Sequence, residues 1–242
     1  MTVPPPAGRS EVLEWLRARG EDRSAVWQAA DRVRREWMGD EVWLRGILEF
    51  SNICANDCSY CGLRRSNHSV QRYRMGNDEI LAAARAMSAH GASTIVLQSG
   101  EAPSAEGDRQ LAEVIRRIKS ETPLAVTLSV GNRPRDVFAR WRDAGMDRYL
   151  LRFETSDAEV FERLHPGSTL ADRLRCLDDL RELGVQVGSG FMIGLPGESV
   201  ERLADNLLLC RALDLDMAGI GPFLPHPATP LARQPNAWAN DP

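Results

Sequence analysis

Residues 47–61 read ILEFSNICANDCSYC and join a short apolar segment directly to three closely spaced cysteines. A short apolar run of this kind is typical of a buried strand. Functional loops in parallel α/β folds follow the carboxyl ends of the strands. The stretch therefore predicts a first strand over 47–51, with a functional site on the following loop at Cys54, Cys58 and Cys61.

Downstream of that strand, apolar segments and helical patterns alternate along the chain. The predicted strands cover residues 47–51, 94–98, 125–129, 148–153, 186–192 and 217–221, and the predicted helices lie near 77–90, 107–120, 134–144, 157–183 and 198–213. Continuous apolar strands that alternate with helices are typical of a parallel sheet in an α/β fold. Two short helices, predicted over residues 11–38, precede this unit.

The length of the chain limits how much of a barrel this pattern builds. About 20 residues remain after the sixth predicted strand, and prolines recur among them. A further strand-helix unit would need a few dozen residues. We therefore expect about (β/α)6, an open barrel with N-terminal helices. The expected division is a helical extension over 1–44, the barrel over 45–224 and a proline-rich tail over 225–242.

Composition and charge give no sign of a nucleic-acid-binding, membrane-spanning or disulfide-rich secreted protein. The 242 residues have a formal net charge of −4, with 26% charged and 43% hydrophobic residues, which gives no reason to expect a nucleic-acid partner. The chain has no run of the roughly 18 apolar residues that a membrane-spanning helix needs, and residues 1–10 lack the apolar centre of a signal peptide. The five cysteines are a poor disulfide framework, so we expect a reducing cytoplasm.

The first three cysteines have the spacing C-x3-C-x2-C on one loop. Three thiolates in such a loop suit three irons of a cubane [4Fe–4S] cluster and leave the fourth iron without a protein ligand. A zinc ion held by these thiolates and His68 is an alternative, although the spacing is unusual for zinc. A further alternative is that the three cysteines are unrelated structural residues. Cys176 and Cys210 fall at helical positions and are predicted to be small core residues.

Longer stretches around and beyond the cysteines resemble one family. They are LEFSNIC (48–54), YCGLRRSN (60–67), RYRM (72–75), TIVLQSGE (94–101), DRYLLRFET (147–155), MIGLPG (192–197) and GIGPFLPHP (219–227). Together they resemble the HydE-like [FeFe]-hydrogenase maturases of the radical S-adenosylmethionine (SAM) superfamily, a group related to biotin synthase and methylornithine synthase. The resemblance implies a partial TIM barrel that lacks the last two strands of the family barrel, with a [4Fe–4S] cluster and SAM as cofactors.

The resemblance also implies roles for individual residues. Those that match SAM contacts are Tyr60 (adenine), Ser99, Gly100 and Glu101 (amino end), Glu154, Arg173 (carboxylate) and Met217 (adenosyl group), and those near the substrate anion are Thr127, Ser129 and Arg152. Arg152 and Glu154 lie two apart on one predicted strand and point to the same side, where they bind a ligand or pair with each other. By pattern alone Arg173 would be a surface residue of a helix. His226, between two prolines, is either a loop residue or a substrate contact.

The function that the resemblance implies is reductive cleavage of SAM at the cluster, which yields a 5′-deoxyadenosyl radical. For a HydE-like maturase the radical acts on a small molecule, with an iron-cysteine complex as a candidate, in H-cluster assembly beside other hydrogenase maturases. One alternative keeps the radical step with a biotin synthase-like or methylornithine synthase-like substrate. Another is a truncated, non-catalytic cluster-binding protein. None of these functions involves nucleic acid or a membrane.

Overall fold

The structure is a computed structural model that describes residues 8–238. Its strands are β1 (Gly46–Ser51), β2 (Thr94–Ser99), β3 (Ala125–Ser129), β4 (Arg148–Leu150), β5 (Gln186–Ser189), β6 (Met192–Ile193), β7 (Met217–Ala218) and β8 (Gly221–Pro222). Its helices are α1 (Arg9–Arg17), α2 (Gly20–Met38), α3 (Asn77–Ala89), α4 (Ala105–Glu121), α5 (Arg135–Asp143), α6 (Ala158–Leu164), α7 (Leu170–Glu182) and α8 (Val200–Ala212).

Six of these strands form one parallel sheet in the order β1-β2-β3-β4-β5-β7. The sheet curls so that its two edges approach each other: Nη1 of Arg45, just before β1, lies 3.5 Å from Sδ of Met217 in β7. The predicted α/β class with six parallel strands in a partial barrel is confirmed.

Three predicted strands are longer than those in the structure. β4 ends at Leu150, and the segments predicted at 186–192 and 217–221 each divide in two, with β6 and β8 pairing as a separate sheet. The division lies where two backbones meet, because a Cβ added at Gly190 would lie 2.1 Å from the carbonyl oxygen of Gly219. The apolar pattern predicted where each strand lies but not this break, which depends on a contact between distant segments.

The helical stretch predicted near 157–183 is also two elements, α6 and α7. After α6 ends at Leu164, Pro166 and Gly167 follow within three residues, and Gly167 has a φ of +86°. Proline lacks the amide hydrogen that continues a helix, and glycine adopts a positive φ without strain. The break leaves the last carbonyl groups of α6 open to other segments of the chain.

The main core fills the space between the sheet and the helices that cover it. It includes Ile95, Leu97, Ile115, Ile118, Val126, Leu128, Phe138, Trp141, Tyr149 and Cys176. Cys210 is half-buried against a second apolar cluster around Phe161 and Phe191, so both isolated cysteines pack as predicted. Since Val126 and Leu128 face this core, the alternate residues Thr127 and Ser129 of β3 face the interior of the partial barrel.

Two helices precede β1, as predicted for residues 11–38. The first of them, α1, packs against α8, where Nε of Arg9 lies 2.6 Å from Oδ1 of Asp205 and Arg17 pairs with Glu201. The division into 1–44, 45–224 and 225–242 stays a prediction, and its outermost residues, 1–7 and 239–242, lie outside the described residues. Within residues 8–238, no helix has the length and apolar character needed to cross a membrane.

Candidate active site

The cysteine loop begins at the carboxyl end of β1 and lies against the carboxyl end of β2. Cys54, Cys58 and Cys61 are free thiols and half-buried. A Cβ added at Gly100 would lie 2.4 Å from the carbonyl oxygen of Ile53 and 2.8 Å from Cβ of Cys54, so the contact requires glycine. The loop therefore lies at the carboxyl ends of the strands, which is the side of a parallel barrel that carries the active site.

Arg72 closes the cysteine loop by donating hydrogen bonds to four backbone carbonyl groups. Its Nη1 lies 2.6 Å from the oxygen of Asn52 and 2.9 Å from that of Leu63. Its Nη2 lies 2.8 Å from the oxygen of Arg64 and 3.2 Å from that of Asn67. Only a forked guanidinium reaches acceptors in this arrangement, so Arg72 holds the two ends of the loop together.

Asp57, between two of the cysteines, gives the loop a second anchor. One of its carboxylate oxygens accepts from Nε of Arg64 (2.7 Å) and the other from Oγ of Ser66 (2.6 Å). The hydrogen bonds from Arg64 and then Ser66 hold the pKa of Asp57 well below its usual value. The carboxylate is therefore charged at neutral pH and restrains the turn that carries Cys58.

The last turn of α6 binds the segment between Cys58 and Cys61. The amide of Ser59 donates to the carbonyl oxygen of Leu164 (2.8 Å), and Oγ of Ser59 donates to that of Arg163 (3.0 Å). The hydroxyl of Tyr60 lies 2.9 Å from Nε2 of His165. The two Ser59 contacts use carbonyl groups that the end of α6 leaves without helical partners.

The proline-rich segment after β8 covers the outer side of the cysteine loop. The ring of His226 lies against Gly62, where an added Cβ would be 2.6 Å from Nε2. The amide of Leu231 donates to the carbonyl oxygen of Ser59 (3.3 Å). His226, which the sequence left open between a loop residue and a substrate contact, thus packs against the residue that follows Cys61.

The cysteine thiols share one buried neighbourhood. Burial, and next the nearby Cys61 and Cys54, raise the pKa of Cys58 to about 12, and burial also raises the pKa of Cys61. Binding of a metal centre to these residues therefore releases their protons. Among residues 8–238, no three His, Cys, Asp or Glu side chains converge on one point as a single zinc ion requires. A cubane cluster takes each thiolate on a different iron, so three neighbouring thiols on one loop suit three of its four irons.

Glu154 lies beyond the end of β4 in a backbone conformation that is rare outside glycine. Its φ is +64°, and its amide donates to the carbonyl oxygen of Gly190 (2.9 Å). Strain of this kind, about 1–3 kcal/mol, collects at functional sites. Burial raises the pKa of the Glu154 carboxyl, while Arg152, Arg173 and the Tyr60 hydroxyl act in the opposite direction.

Buried polar atoms without hydrogen-bond partners gather around this part of the barrel. Within residues 8–238 they are Thr127 Oγ1, Asn132 Oδ1, Arg152 Nε, Arg152 Nη2, Glu154 Oε2 and Arg173 Nε. Each such atom costs about 1–3 kcal/mol when it stays unbonded, so proteins rarely keep a group of them without a ligand. Cationic donors stand beside carboxylate and neutral acceptors, which suits a ligand that carries both an anion and hydrogen-bond donors.

Arg152 and Glu154 form an ion pair, but atoms of both side chains remain able to hydrogen-bond a ligand. Nη2 of Arg152 lies 3.1 Å from Oε2 of Glu154, which is an ion-pair distance. Neither atom makes a hydrogen bond of good geometry within the described chain. The two charges therefore compensate each other, while their hydrogen-bonding directions stay available to a ligand.

Arg173 is buried, so the surface position that the helical pattern alone predicted is wrong. It lies in the first turns of α7, on the side facing the barrel, and its guanidinium is 5.7 Å from the ring centre of Phe161. Its positive charge lowers the pKa of both Glu154 and Cys58, although burial outweighs that effect in each case. Arg173 thus lies near enough to both the Glu154 carboxylate and Cys58 for its charge to act on them.

The remaining predicted residues lie on the same side of the fold. Ser99 Oγ donates to the carbonyl oxygen of Gly100 (2.8 Å), and Oε2 of Glu101 accepts from the amide of Asn132 (2.9 Å). Met217 is half-buried beside Gly188, where an added Cβ would be 2.7 Å from its Cε. The structure brings these residues to one edge of the sheet, and their roles as ligand contacts stay predictions.

Sequence reasoning missed three residues of this region as site residues. Arg72 stood only inside the RYRM stretch, and its four acceptors are not visible in any spacing. His165 follows an ordinary amphipathic helix, and only the His-Pro-Gly sequence after the helix marks the turn. Asn132 follows β3 in a polar loop with no motif of its own.

Comparisons with known proteins agree with this architecture. The radical SAM superfamily profile matches residues 48–210. The [FeFe] hydrogenase maturase subunit HydE of Thermotoga maritima is 48% identical over 210 residues, covering 87% of this chain and 60% of that protein. The 3-methylornithine synthase of Methanosarcina acetivorans is 29% identical, covering 88% of this chain and 61% of that protein. The crystal structure of methylornithine synthase (PylB) superposes with a TM-score of 0.89 at 26% identity, covering 95% of this chain and 68% of that one.

This chain spans about 60% of the length of these curated relatives. The matched region contains most of β1, the whole of β2 to β5 of the main sheet, and the cysteine loop. It also contains the unpaired polar atoms of the barrel interior. Radical SAM proteins use a [4Fe–4S] cluster together with SAM, and the three-thiol loop beside an unsatisfied polar interior fits that pair of cofactors. The fold, the cysteine loop and the profile match over most of its length together show that this chain belongs to the radical SAM superfamily.

Proposed function

We propose that this protein is a HydE-like radical SAM enzyme that holds a [4Fe–4S] cluster on Cys54, Cys58 and Cys61 and cleaves SAM beside it. One observation carries the proposal: a three-cysteine loop and a group of unpaired buried polar atoms lie at the same edge of the sheet. The 48% identity to the Thermotoga maritima maturase supports the assignment within the superfamily.

The chain's own residues would bind the cluster and SAM, orient SAM and shield both from solvent. Three thiolates leave one iron of the cluster without a protein ligand, and that iron is the position for SAM. Arg173 offers a buried guanidinium to the SAM carboxylate, and Glu154 offers an acceptor to its donors. Tyr60 lies on the cysteine loop where the adenine is expected, while Ser99, Gly100, Glu101 and Met217 complete the predicted contacts. Bound together, the cluster and SAM would supply radical chemistry through one-electron reductive cleavage of SAM, with the electron coming from an external reductant.

Water exclusion is a task of the segment that follows β8. The side chain of Leu231 packs with Tyr60 against an apolar cluster that includes Leu164 and Phe223. The same segment places His226 on Gly62. This cover keeps solvent from the loop that binds the cluster, which protects a reactive intermediate from side reactions.

The substrate side of the proposal rests on the interior face of β3 and the residues after β4. Thr127, Ser129 and Arg152 offer hydroxyl groups and a guanidinium, a set that suits a small anionic molecule. A cysteine-derived iron complex fits this description, and other hydrogenase maturases in the cytoplasm would then be the protein partners. A methylornithine synthase-like reaction on an amino acid is a second candidate, because the PylB structure superposes with a TM-score of 0.89.

Anaerobic reconstitution followed by incubation with SAM and dithionite tests the proposal. We expect 5′-deoxyadenosine to form with the wild-type chain and not with Cys58→Ala. Cys210→Ala is the matched control, since Cys210 lies in an apolar cluster away from the loop, and it should behave as wild type. A full complement of cluster with no cleavage would contradict the enzymatic proposal and favour a non-catalytic cluster-binding protein. Adding an iron-cysteine complex or amino acids then shows which substrate consumes the radical.

A further inference from the structure

His165 is a buried histidine whose two ring nitrogens both have partners. Its Nδ1 lies 3.0 Å from the carbonyl oxygen of Phe161, and its Nε2 lies 2.9 Å from the hydroxyl of Tyr60. Its ring stacks on that of Phe161 at 4.1 Å and meets the ring of Tyr60 edge-on at 5.3 Å. The ring is thus held in one orientation by contacts on every side.

The partners of His165 determine where its proton lies. A carbonyl oxygen only accepts hydrogen bonds, so Nδ1 must carry the hydrogen that reaches Phe161. Burial, and next the charge of Arg173, lower the pKa of His165 to about 4, so the ring is neutral and has a single N–H at pH 7. Nε2 is therefore an acceptor, and the Tyr60 hydroxyl must donate its only hydrogen to it.

The hydrogen bond from Tyr60 to His165 affects which donors are available to the Glu154 carboxylate. The Tyr60 hydroxyl lies close enough to Glu154 to favour the charged carboxylate, so it has two possible acceptors for one hydrogen. His165 takes that hydrogen, and Oε2 of Glu154 has no hydrogen-bond partner in the described chain. Oε2 lies 3.1 Å from Nη2 of Arg152, and both Arg152 and Arg173 also keep nitrogens without hydrogen-bond partners.

We propose that His165 is a positioning residue that draws the Tyr60 hydroxyl away from Glu154 and so keeps that carboxylate open for a donor group of SAM. The inference rests on the proposed function, in which Glu154 contacts SAM. The role of His165 is indirect, because it acts through Tyr60. It acts by accepting the hydrogen bond that Tyr60 would otherwise donate to Glu154.

The substitution that isolates this role is His165→Phe. Phenylalanine keeps a planar ring to stack on Phe161, over which Arg173 lies, but it removes the acceptor for Tyr60. The hydroxyl is then free to donate to Glu154 and to compete with SAM. We expect SAM to bind the reconstituted His165→Phe variant roughly tenfold more weakly than the wild type, by calorimetric titration, the scale of one hydrogen bond to a charged group.

The Tyr60→Phe background separates this competition from a general loss of structure. Without the hydroxyl there is no competing donor, so His165→Phe should change SAM affinity by about twofold or less in that background. Equal losses in both backgrounds would overturn the proposal, because they would mean that the ring acts through packing alone. A wild-type protein that binds no SAM would instead overturn the proposed function.

Nitrogen NMR of the histidine rings, before cluster reconstitution, tests the proton position without SAM. The chain has four histidines, so the missing signals of His165→Phe, or of His165→Gln if the first variant does not fold, identify the residue. We expect the hydrogen on Nδ1 and an unprotonated Nε2. A hydrogen on Nε2 would overturn the inference whether or not SAM binds.

Discussion

The cysteine loop and the barrel interior lie at the same edge of the sheet but differ in how their polar groups are satisfied. In the loop, Arg72 bonds four carbonyl groups and Asp57 bonds Arg64 and Ser66. In the interior, Thr127 and Arg152 are among the residues that keep buried polar atoms unbonded. The polar groups of Arg72 and Asp57 in the loop are hydrogen-bonded within the chain, whereas the unpaired polar atoms of the interior need a ligand to bond them.

The difference predicts opposite responses to substitution. A change in the loop removes bonds that the folded chain already makes, so it lowers both stability and cluster occupancy. A change in the interior removes groups that the folded chain leaves strained or unpaired, so it lowers binding and leaves stability unchanged or higher. Five substitutions test this contrast.

Cys58→Ala has the largest expected effect, because it removes one of the three proposed ligands of the cluster. We expect the cluster to be lost, as measured by iron and sulfide content after anaerobic reconstitution. Cys176→Ala, in the main core, should keep its cluster in the same assay. Full occupancy in Cys58→Ala would show that the loop is not the cluster site.

Arg72→Ala should lower the free energy of unfolding by about 2–4 kcal/mol, since four carbonyl groups lose a charged donor. Urea unfolding of the protein before reconstitution measures it. Arg65→Ala is the matched control, because Arg65 is in the same loop with an exposed side chain, and its effect should stay within about 0.5 kcal/mol. Equal losses in the two variants would refute the role of Arg72 as the closure of the loop.

Glu154→Gln and Arg173→Met should each weaken SAM binding by about 1.5–3 kcal/mol, the range for hydrogen bonds to charged groups. The cluster content of each variant should remain close to wild type, because neither side chain is a proposed ligand of the cluster. Calorimetric titration of SAM into the reconstituted variants is the measurement. Unchanged affinity in both would remove these residues from the SAM site.

Thr127→Val has the smallest expected effect and the opposite sign. It replaces an unpaired buried hydroxyl by a methyl group of similar size, so the free energy of unfolding should rise by about 1 kcal/mol. Thr155→Val is the matched control, because Thr155 is also buried but its Oγ1 accepts from the amide of Asp157 (3.3 Å). Thr155→Val should be destabilised. If Thr127→Val is destabilised as well, the Thr127 hydroxyl already has a hydrogen-bond partner in the folded chain.

The sequence by itself determined the positions of the six strands, most of the helices and the cysteine loop. Apolar periodicity and cysteine spacing are local properties, and each depends on residues only a few positions apart. The same local pattern correctly placed Arg173 on a helix but wrongly at the surface, because burial depends on which side of α7 meets the rest of the fold.

Only the tertiary structure decided the break at Gly190, the four acceptors of Arg72 and the unpaired atoms of the interior. It also joined Tyr60 to His165, which lie 105 positions apart in the chain. The physical reason is that hydrogen bonds have a short reach and a strict direction, so a donor and an acceptor on separate elements are matched only after the sheet has set those elements side by side.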